Sequence, residues 1–466
     1  MLSPKPSLAV ALAVAAFLLM GEAVRAAESP ELQALLEQMK KMEAKLAEQE
    51  KTIAALKQAV QGKATAEEKV DQALAKAGSD VIFHDPAVHG RKIKLGGYLD
   101  FTYQYSANQP DSRLNNERTF DNQDVNDFNV HLAKIYFDGT AQEKGRAGFR
   151  VDLAFGTDAR KFAAYDRGPT ASGTPVDRLV DLEQAYVDYI IPVGNGLRMK
   201  AGKFVTLFGF EVIEAQENWN ATRSFNFGKA IPFTHTGLGF EYQAFSNWQV
   251  KLHLVNGWDN LQDNNEGKSV MAQSAWSPVK WLTWTVTGMA GNEKTKAPGL
   301  NNGDESDTRY LVNTTLLMTP WEKWSFGLEG TYGHEAHASL NAAEMPYTTV
   351  PDAEWWGTAA YLKYQFFKEW YVAARGEYLN DFDASRTGFG ALTGARQELY
   401  SGTVTLSYSP AQSFETRLEY RHDASDKRAF AAKRFFDPTM MPVPNHGPKQ
   451  WTDTQDTVTV QFLYKF

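Results

Sequence analysis

The sequence predicts an all-β transmembrane barrel of about sixteen antiparallel strands, in a range of roughly 14 to 18, with a helical coiled-coil segment before it. Three observations lead there. Apolar and polar residues alternate with period two in run after run between about 92 and 466, which places them on opposite faces of strands. The connections between runs alternate long and short around the chain, as in outer-membrane barrels with short turns at one end and long loops at the other. Finally, the chain opens on an export-type leader.

Composition supports this class. Aromatic residues make up 13% and charged residues 22% of 466 residues, and mean hydropathy is −0.43. Neither a helical membrane protein nor a disordered chain is built this way. Past the leader no apolar run reaches about 18 residues, the length a spanning helix needs. A net charge of −8 argues against nucleic acid as a partner. With no cysteine there are no disulfides, thiolate metal sites or covalently attached c-type haem in this chain. Stability must come from elsewhere, and a closed ladder of strands supplies it.

Residues 1–26 read as a signal peptide, with Lys5, an apolar run from Leu8 to Met20, and small residues near Ala26. An uncleaved anchor is the alternative, and the shortness of the apolar run disfavours it. Residues 28–77 read as a periplasmic coiled coil and helical linker. Leu32, Leu35, Met39, Met42, Leu46, Ile53, Leu56 and Val60 recur at spacings of three and four, with Gln49 as a polar break. The alternative is a single amphipathic helix. A coiled coil predicts an oligomer, with a homotrimer as the expected state, and offers a surface for cell-wall contact.

From Lys92 the period becomes two. Ile93, Leu95, Leu99, Phe101, Tyr103 and Tyr105 share one face, opposite Lys92, Lys94, Asp100, Thr102 and Gln104. Further runs follow at about 127–138, 147–156, 182–191, 197–207, 236–245, 247–257, 268–277, 281–290, 308–319, 323–333, 354–366, 369–379, 398–408, 413–421 and 454–466. Long polar stretches such as 106–126, 157–181, 208–235 and 422–453 alternate with tight turns such as Pro192–Gly196, Ser277–Lys280 and Ser409–Gln412. An even count puts both chain ends at the short-turn, periplasmic side. Aromatics near the run ends, including Trp248, Trp281, Trp321, Trp324, Trp355, Trp356 and Trp370, suit membrane interfaces. The alternating last run ends on Phe466, a pattern like the insertion signal of outer-membrane barrels.

If apolar residues face lipid, the opposite phase turns charge inward. Lys94, Arg150, Arg198, Lys200, Lys251, Lys363, Arg375, Arg417 and Arg421 then meet Asp100, Asp152, Asp188, Glu241, Glu329, Glu377, Glu415 and Glu419 in the lumen. So even a balance names no ion, and any one of these is by default a solvated lumen side chain. The stretch Phe208–His235 is the longest charged and aromatic interruption in the middle of the chain. It is expected to fold inward as a constriction, with an external loop as the alternative. The expected pore-lining and constriction residues are Arg198, Lys200, Lys203, Glu211, Glu214, Glu217, Arg223, Lys229, Arg375, Arg417 and Arg421. Glu211, Glu214 and Glu217 are expected to face Arg198, Lys200 and Arg223 across the narrowest part.

Lys200–Phe204, Pro232–Gly237 and Val255–Asn260 resemble recurring phrases of the OmpL-like β-barrel porins, also called porin-2. The resemblance covers about 92–466 and is sharpest between about 181 and 260. It implies an outer-membrane barrel passing small solutes. The coiled-coil prefix departs from the plainest members and is better known from phosphate-selective and sugar porins.

The functional expectation is a porin in the bacterial outer membrane, a water-filled channel for passive diffusion of small hydrophilic solutes or ions, with lipid around it. It is not expected to be an enzyme, and no catalytic residue, cofactor or metal is assigned. His334 and His337 stand in a loop without the helix a His-x-x-His ligand pair wants. Two other readings stay open. One is a barrel sheath for a partner such as a multihaem cytochrome, whose haems would come from another chain. The other is an envelope tether acting through the coiled coil.

Overall fold

A computed structural model of the chain describes residues 81–85, 91–110, 113–121, 125–162, 180–263, 265, 267–293, 307–338, 351–388, 393–432 and 450–466. The expected signal peptide and coiled coil lie outside the described residues. No helix among those described is long and apolar enough to cross a membrane.

Sixteen antiparallel strands close on themselves. After a short strand β1 (Val81–Asp85) come β2 (Arg91–Ser106), β3 (Asp127–Asp138), β4 (Ala147–Phe155), β5 (Val180–Ile191), β6 (Leu197–Val205), β7 (Thr234–Phe245), β8 (Trp248–Val255) and β9 (Ser269–Val279). The wall continues through β10 (Leu282–Asn292), β11 (Thr308–Trp321), β12 (Trp324–Glu335), β13 (Ala353–Phe367), β14 (Trp370–Asp381), β15 (Gln397–Ala411) and β16 (Phe414–Ser425). A two-stranded pair, β17 (Phe430–Ala432) and β18 (Gln450–Thr452), stands in the last long connection before β19 (Thr454–Lys465). Each wall strand pairs with its neighbour in sequence, and β19 pairs with β2, so no edge is left open. Phe466 fastens the seam by exchanging backbone hydrogen bonds of 3.0 Å with Gly97.

The expected count of sixteen wall strands agrees with this closure. Strand ends differ from the expected ones by a few residues, and β1, paired to the start of β2, was not foreseen. Neither was the β17–β18 pair.

The wall is polar inside and apolar outside. Along β16, Glu415, Arg417, Glu419, Arg421 and Asp423 are buried while Leu418 and Tyr420 are half exposed. On the neighbouring β19, Gln455, Thr457, Thr459 and Gln461 are buried and Val458 and Phe462 exposed. That is the inverse of a soluble sandwich and suits a wall with lipid on its outer face. Aromatics gather on the outer face at both ends. Trp324 lies 4.4 Å from Tyr364 and Trp370 4.3 Å from Tyr408 at the short-turn end, while Trp356 lies 4.8 Å from Tyr378 and Tyr378 4.9 Å from Tyr400 at the other. Trp355 is a correction, because it points into the barrel, fully buried, and its indole N–H reaches Ala230 O at 3.2 Å. Tandem Trp355–Trp356 must split between faces, since successive side chains alternate.

Two bulges disturb the alternation. His131 is the extra residue where β3 slips against β2, and Glu183 is the extra one where β5 slips against β4. Both side chains are thereby turned inward and buried.

Leu418→Arg puts a charge at mid-strand on the lipid face and is expected to cost roughly 2–4 kcal/mol. Denaturant unfolding from phospholipid vesicles measures it, and an unchanged transition would show that this face does not meet lipid.

Candidate functional site

Between β6 and β7 the chain leaves the wall and runs through the barrel interior from 206 to 233. It contains a short 3-10 turn (Ala215–Glu217) and a single π-helical turn (Asn226–Ala230). Phe208, Ile213, Phe225, Phe227, Ile231 and Phe233 are all buried. Phe227 and Phe233 pack on Phe120, at 5.4 and 5.0 Å between ring centres, and Phe120 stacks on Phe162 of a one-turn helix α1 (Ala159–Phe162). Phe210 stacks on Tyr361 of the far wall at 4.4 Å. Each fully buried side chain of this kind contributes about 1.5–3 kcal/mol. Room for the rings comes from glycines on the wall, since a Cβ at Gly327 would overlap Phe210 and one at Gly333 would overlap Trp355.

An irregular backbone inside a barrel lacks ladder partners, so the wall's charged side chains supply them. Glu419 accepts from the Ala221 and Thr222 amides at 2.6 and 3.1 Å, and Glu377 from Phe225 at 2.6 Å. Glu329 accepts from Phe210 at 3.3 Å. In the other sense, Arg375 donates to Thr222 O at 2.5 Å, Arg421 to Arg223 O at 2.5 Å, and Arg417 to Ala215 O and Asn220 O at 3.0 and 3.2 Å. Arg375 also binds the Glu211 carboxylate at 2.7 Å. Wall carboxylates thus hold the segment's N–H groups and wall guanidinium groups hold its carbonyls.

Lys134 makes a second anchor. Its ammonium lies 2.9 Å from Asp152, 2.7 Å from Glu183 and 2.6 Å from Glu214. Burial raises the Glu214 carboxyl, but the Lys134 charge outweighs it and holds that group below its ordinary range. Asp152, Glu183 and Glu214 are close enough to share a metal ion, and the lysine already stands among them. Asp121, His131 and Asp158 form a similar group. There the His131 Nδ1 lies 3.2 Å from Asp158, and the Arg223 guanidinium 3.6 Å from Asp121. His334 and His337 turn their rings to different carboxylates, Asp352 and Asp307.

The expected site residues separate into three groups. Arg375, Arg417, Arg421, Glu211 and Arg223 lie at the segment's contact with the wall and are buried there, so they anchor rather than line. Arg198, Lys200 and Lys203 pair with Asp188, Glu241 and Asp181. Lys229 pairs with Glu117 at 3.2 Å. The expected facing of Glu211, Glu214 and Glu217 with Arg198, Lys200 and Arg223 is corrected. Glu211 meets Arg375, Glu214 meets Lys134, and Arg223 binds Ile213 O at 2.5 Å. The reason is direction, because Arg198 and Lys200 sit at the short-turn end of β6, while the segment leaves from the opposite end and crosses to β12–β16.

Glu217 is exposed on the segment. Beside it a cavity of about 300 Å³ opens toward the short-turn end, between Phe210, Trp219 and Tyr361 on one side and Thr285 and Thr315 on the other. Lys251 and Lys363 also face the lumen, and the Lys363 ammonium lies 4.1 Å from the centre of the Tyr371 ring. Lys134 and the Arg118–Asp423 pair at 2.6 Å were not foreseen from sequence.

A model of the family described as "Putative beta-barrel porin-2, OmpL-like" matches residues 92–466. Among curated proteins the chain has no significant match. The fold is similar to that of the outer membrane channel DcaP of Acinetobacter baumannii, with a TM-score of 0.51 and 10% identity over 82% of this chain and 99% of that one. It is also similar to the anion-selective porin from Comamonas acidovorans, at 0.50 and 9% over 80% and 99%. OmpF of Salmonella typhi gives 0.50 and 12% over 81% and 98%. At such identities the likeness is one of fold.

Arg375→Met leaves Glu211 buried without its guanidinium and Glu377 with Arg421 alone, and is expected to loosen the segment by about 3–5 kcal/mol. Hydrogen exchange should accelerate at the Ala221, Thr222 and Phe225 amides while the strand ladders stay protected. Uniform protection in both places would show that the arginine is not an anchor.

Proposed function

Since the chain belongs to the OmpL-like β-barrel porin-2 family, we propose that this outer-membrane barrel is a water-filled channel for passive diffusion of small hydrophilic solutes or ions, narrowed by the segment 206–233. The observation that carries the reading is the crossing segment itself, fixed to the far wall by Glu377, Glu419, Arg375, Arg417 and Arg421. A sixteen-stranded wall is wide enough to hold an aqueous channel, and a segment laid across it sets the bore. What passes then meets the groups left facing water. Among the described residues these include Glu217 on the segment and Arg198, Lys200, Lys251 and Lys363 on the wall. Charges in a confined, poorly screened passage orient and sort solutes.

The segment also weighs against a sheath for a multihaem cytochrome, because it occupies the interior such a partner would need. The tether reading rests only on the heptads of 28–77. We further assign residues 1–26 to a cleaved signal peptide and 28–77 to a periplasmic, trimer-forming coiled coil with the short turns on the same side. Native mass measurement of the mature protein with and without 28–77 is expected to give a trimer that the deletion weakens. A monomer in both cases would remove the coiled coil from the account.

Single-channel recording with a salt gradient tests the channel. Lys200→Glu combined with Lys251→Glu is expected to move the reversal potential toward cations. Lys427→Glu with Arg428→Glu, in the last long connection, should move it little. Absence of conductance would contradict the channel, and equal responses would place selection outside the lumen.

A further inference from the structure

We infer that the cavity between the crossing segment and the β10, β11 and β13 wall is a station for organic ammonium solutes, amines that carry an aromatic or apolar group. This rests on the channel reading above and names the solute class that the narrowed passage retains. The cavity holds about 300 Å³, enough for one small molecule. Its floor is aromatic. Phe210 lies edge-on to Trp219 at 5.2 Å and flat on Tyr361 at 4.4 Å, and Trp219 stands perpendicular to Tyr361 at 6.5 Å. Opposite them Thr285 and Thr315 are cross-strand partners, and both line the space with their side of the wall.

Charge decides among the solutes that such a surface could take. The lining contains Glu211 and Glu217 and neither lysine nor arginine. Glu211 is neutralised from behind by Arg375 at 2.7 Å. Glu217 has no recorded ion pair or side-chain hydrogen bond among the described residues, and it is exposed to the cavity. Lys363 follows Tyr361 on the same face of β13, yet its ammonium is turned to the Tyr371 ring at 4.1 Å. An anion would be repelled here. A sugar would find the rings and hydroxyls but leave the carboxylate without a counter-charge. An amine with an apolar body meets every group, its cation by Glu217 and over the ring faces, its body on the aromatics.

The test is current block of the full chain in a planar bilayer by 2-phenylethylammonium, beside neutral 2-phenylethanol and anionic phenylacetate. The ammonium alone is expected to interrupt the current. Glu217→Gln should weaken its block about tenfold, Trp219→Ala should weaken it too, and Glu322→Gln in the turn between β11 and β12 should leave it as it was. Equal block by the three probes, or block unaffected by Glu217→Gln, would overturn the inference while salt conductance keeps the channel reading. If the barrel carries no salt current, the channel reading fails instead. Calorimetric titration of the detergent-solubilised protein with 2-phenylethylammonium then decides, with binding heat lost in Glu217→Gln in favour and no binding heat against.

Discussion

A peptide backbone taken off the wall and into the barrel must find a partner for each buried N–H and C=O, and this requirement organises the interior. Segment 206–233 meets it with side chains from strands far away in sequence. Glu419 takes two successive amides and Arg417 two carbonyls, so four backbone groups depend on neighbouring positions of one strand. Removing any one of these side chains strands a buried polar group, at a cost of about 1–3 kcal/mol. The segment is therefore held in one path and not merely packed.

That division of labour explains which charges are left for solutes. A lumen side chain committed to the segment has little field to offer a passing ion, because its charge is met at 2.5–2.7 Å by Glu211 or Thr222 O in the case of Arg375. The groups that remain are those on the short-turn side of the segment. Lys200 is partly answered by Glu241 at 2.5 Å, and Lys363 rests against Tyr371. Glu217 lines the cavity beside Phe210 and Trp219, and among the described residues its carboxylate forms no ion pair. On the proposed channel reading, selectivity would rest with the residues outside the anchoring contacts.

The barrel was legible in sequence because period-two alternation and the rhythm of connections are local signals, and β16 shows the alternation most plainly. Even the inward charges of β16, Arg417, Glu419 and Arg421, could be read from their phase. Lys134 could not. The bulge at His131 shifts the phase of β3, so its inward face cannot be followed from Asp127 by counting twos. The pairing of inward charges was likewise hidden, since Glu211 meets Arg375 across 164 positions and only the closed wall brings them together. Trp355 looked like an interfacial residue by type, yet strand phase put it inside. Gly327, which receives Phe210, has a meaning only once the segment is laid against it, whereas Gly333 makes room for Trp355, its own cross-strand partner.

The absence of cysteine from the chain permits a direct test of whether the segment sets the bore. Val212 lies exposed on the segment inside the barrel. A single Val212→Cys variant, modified with a charged methanethiosulfonate reagent during single-channel recording, should lose conductance in discrete steps as each thiol reacts. Complete modification, verified by mass, with no change in conductance would contradict the account.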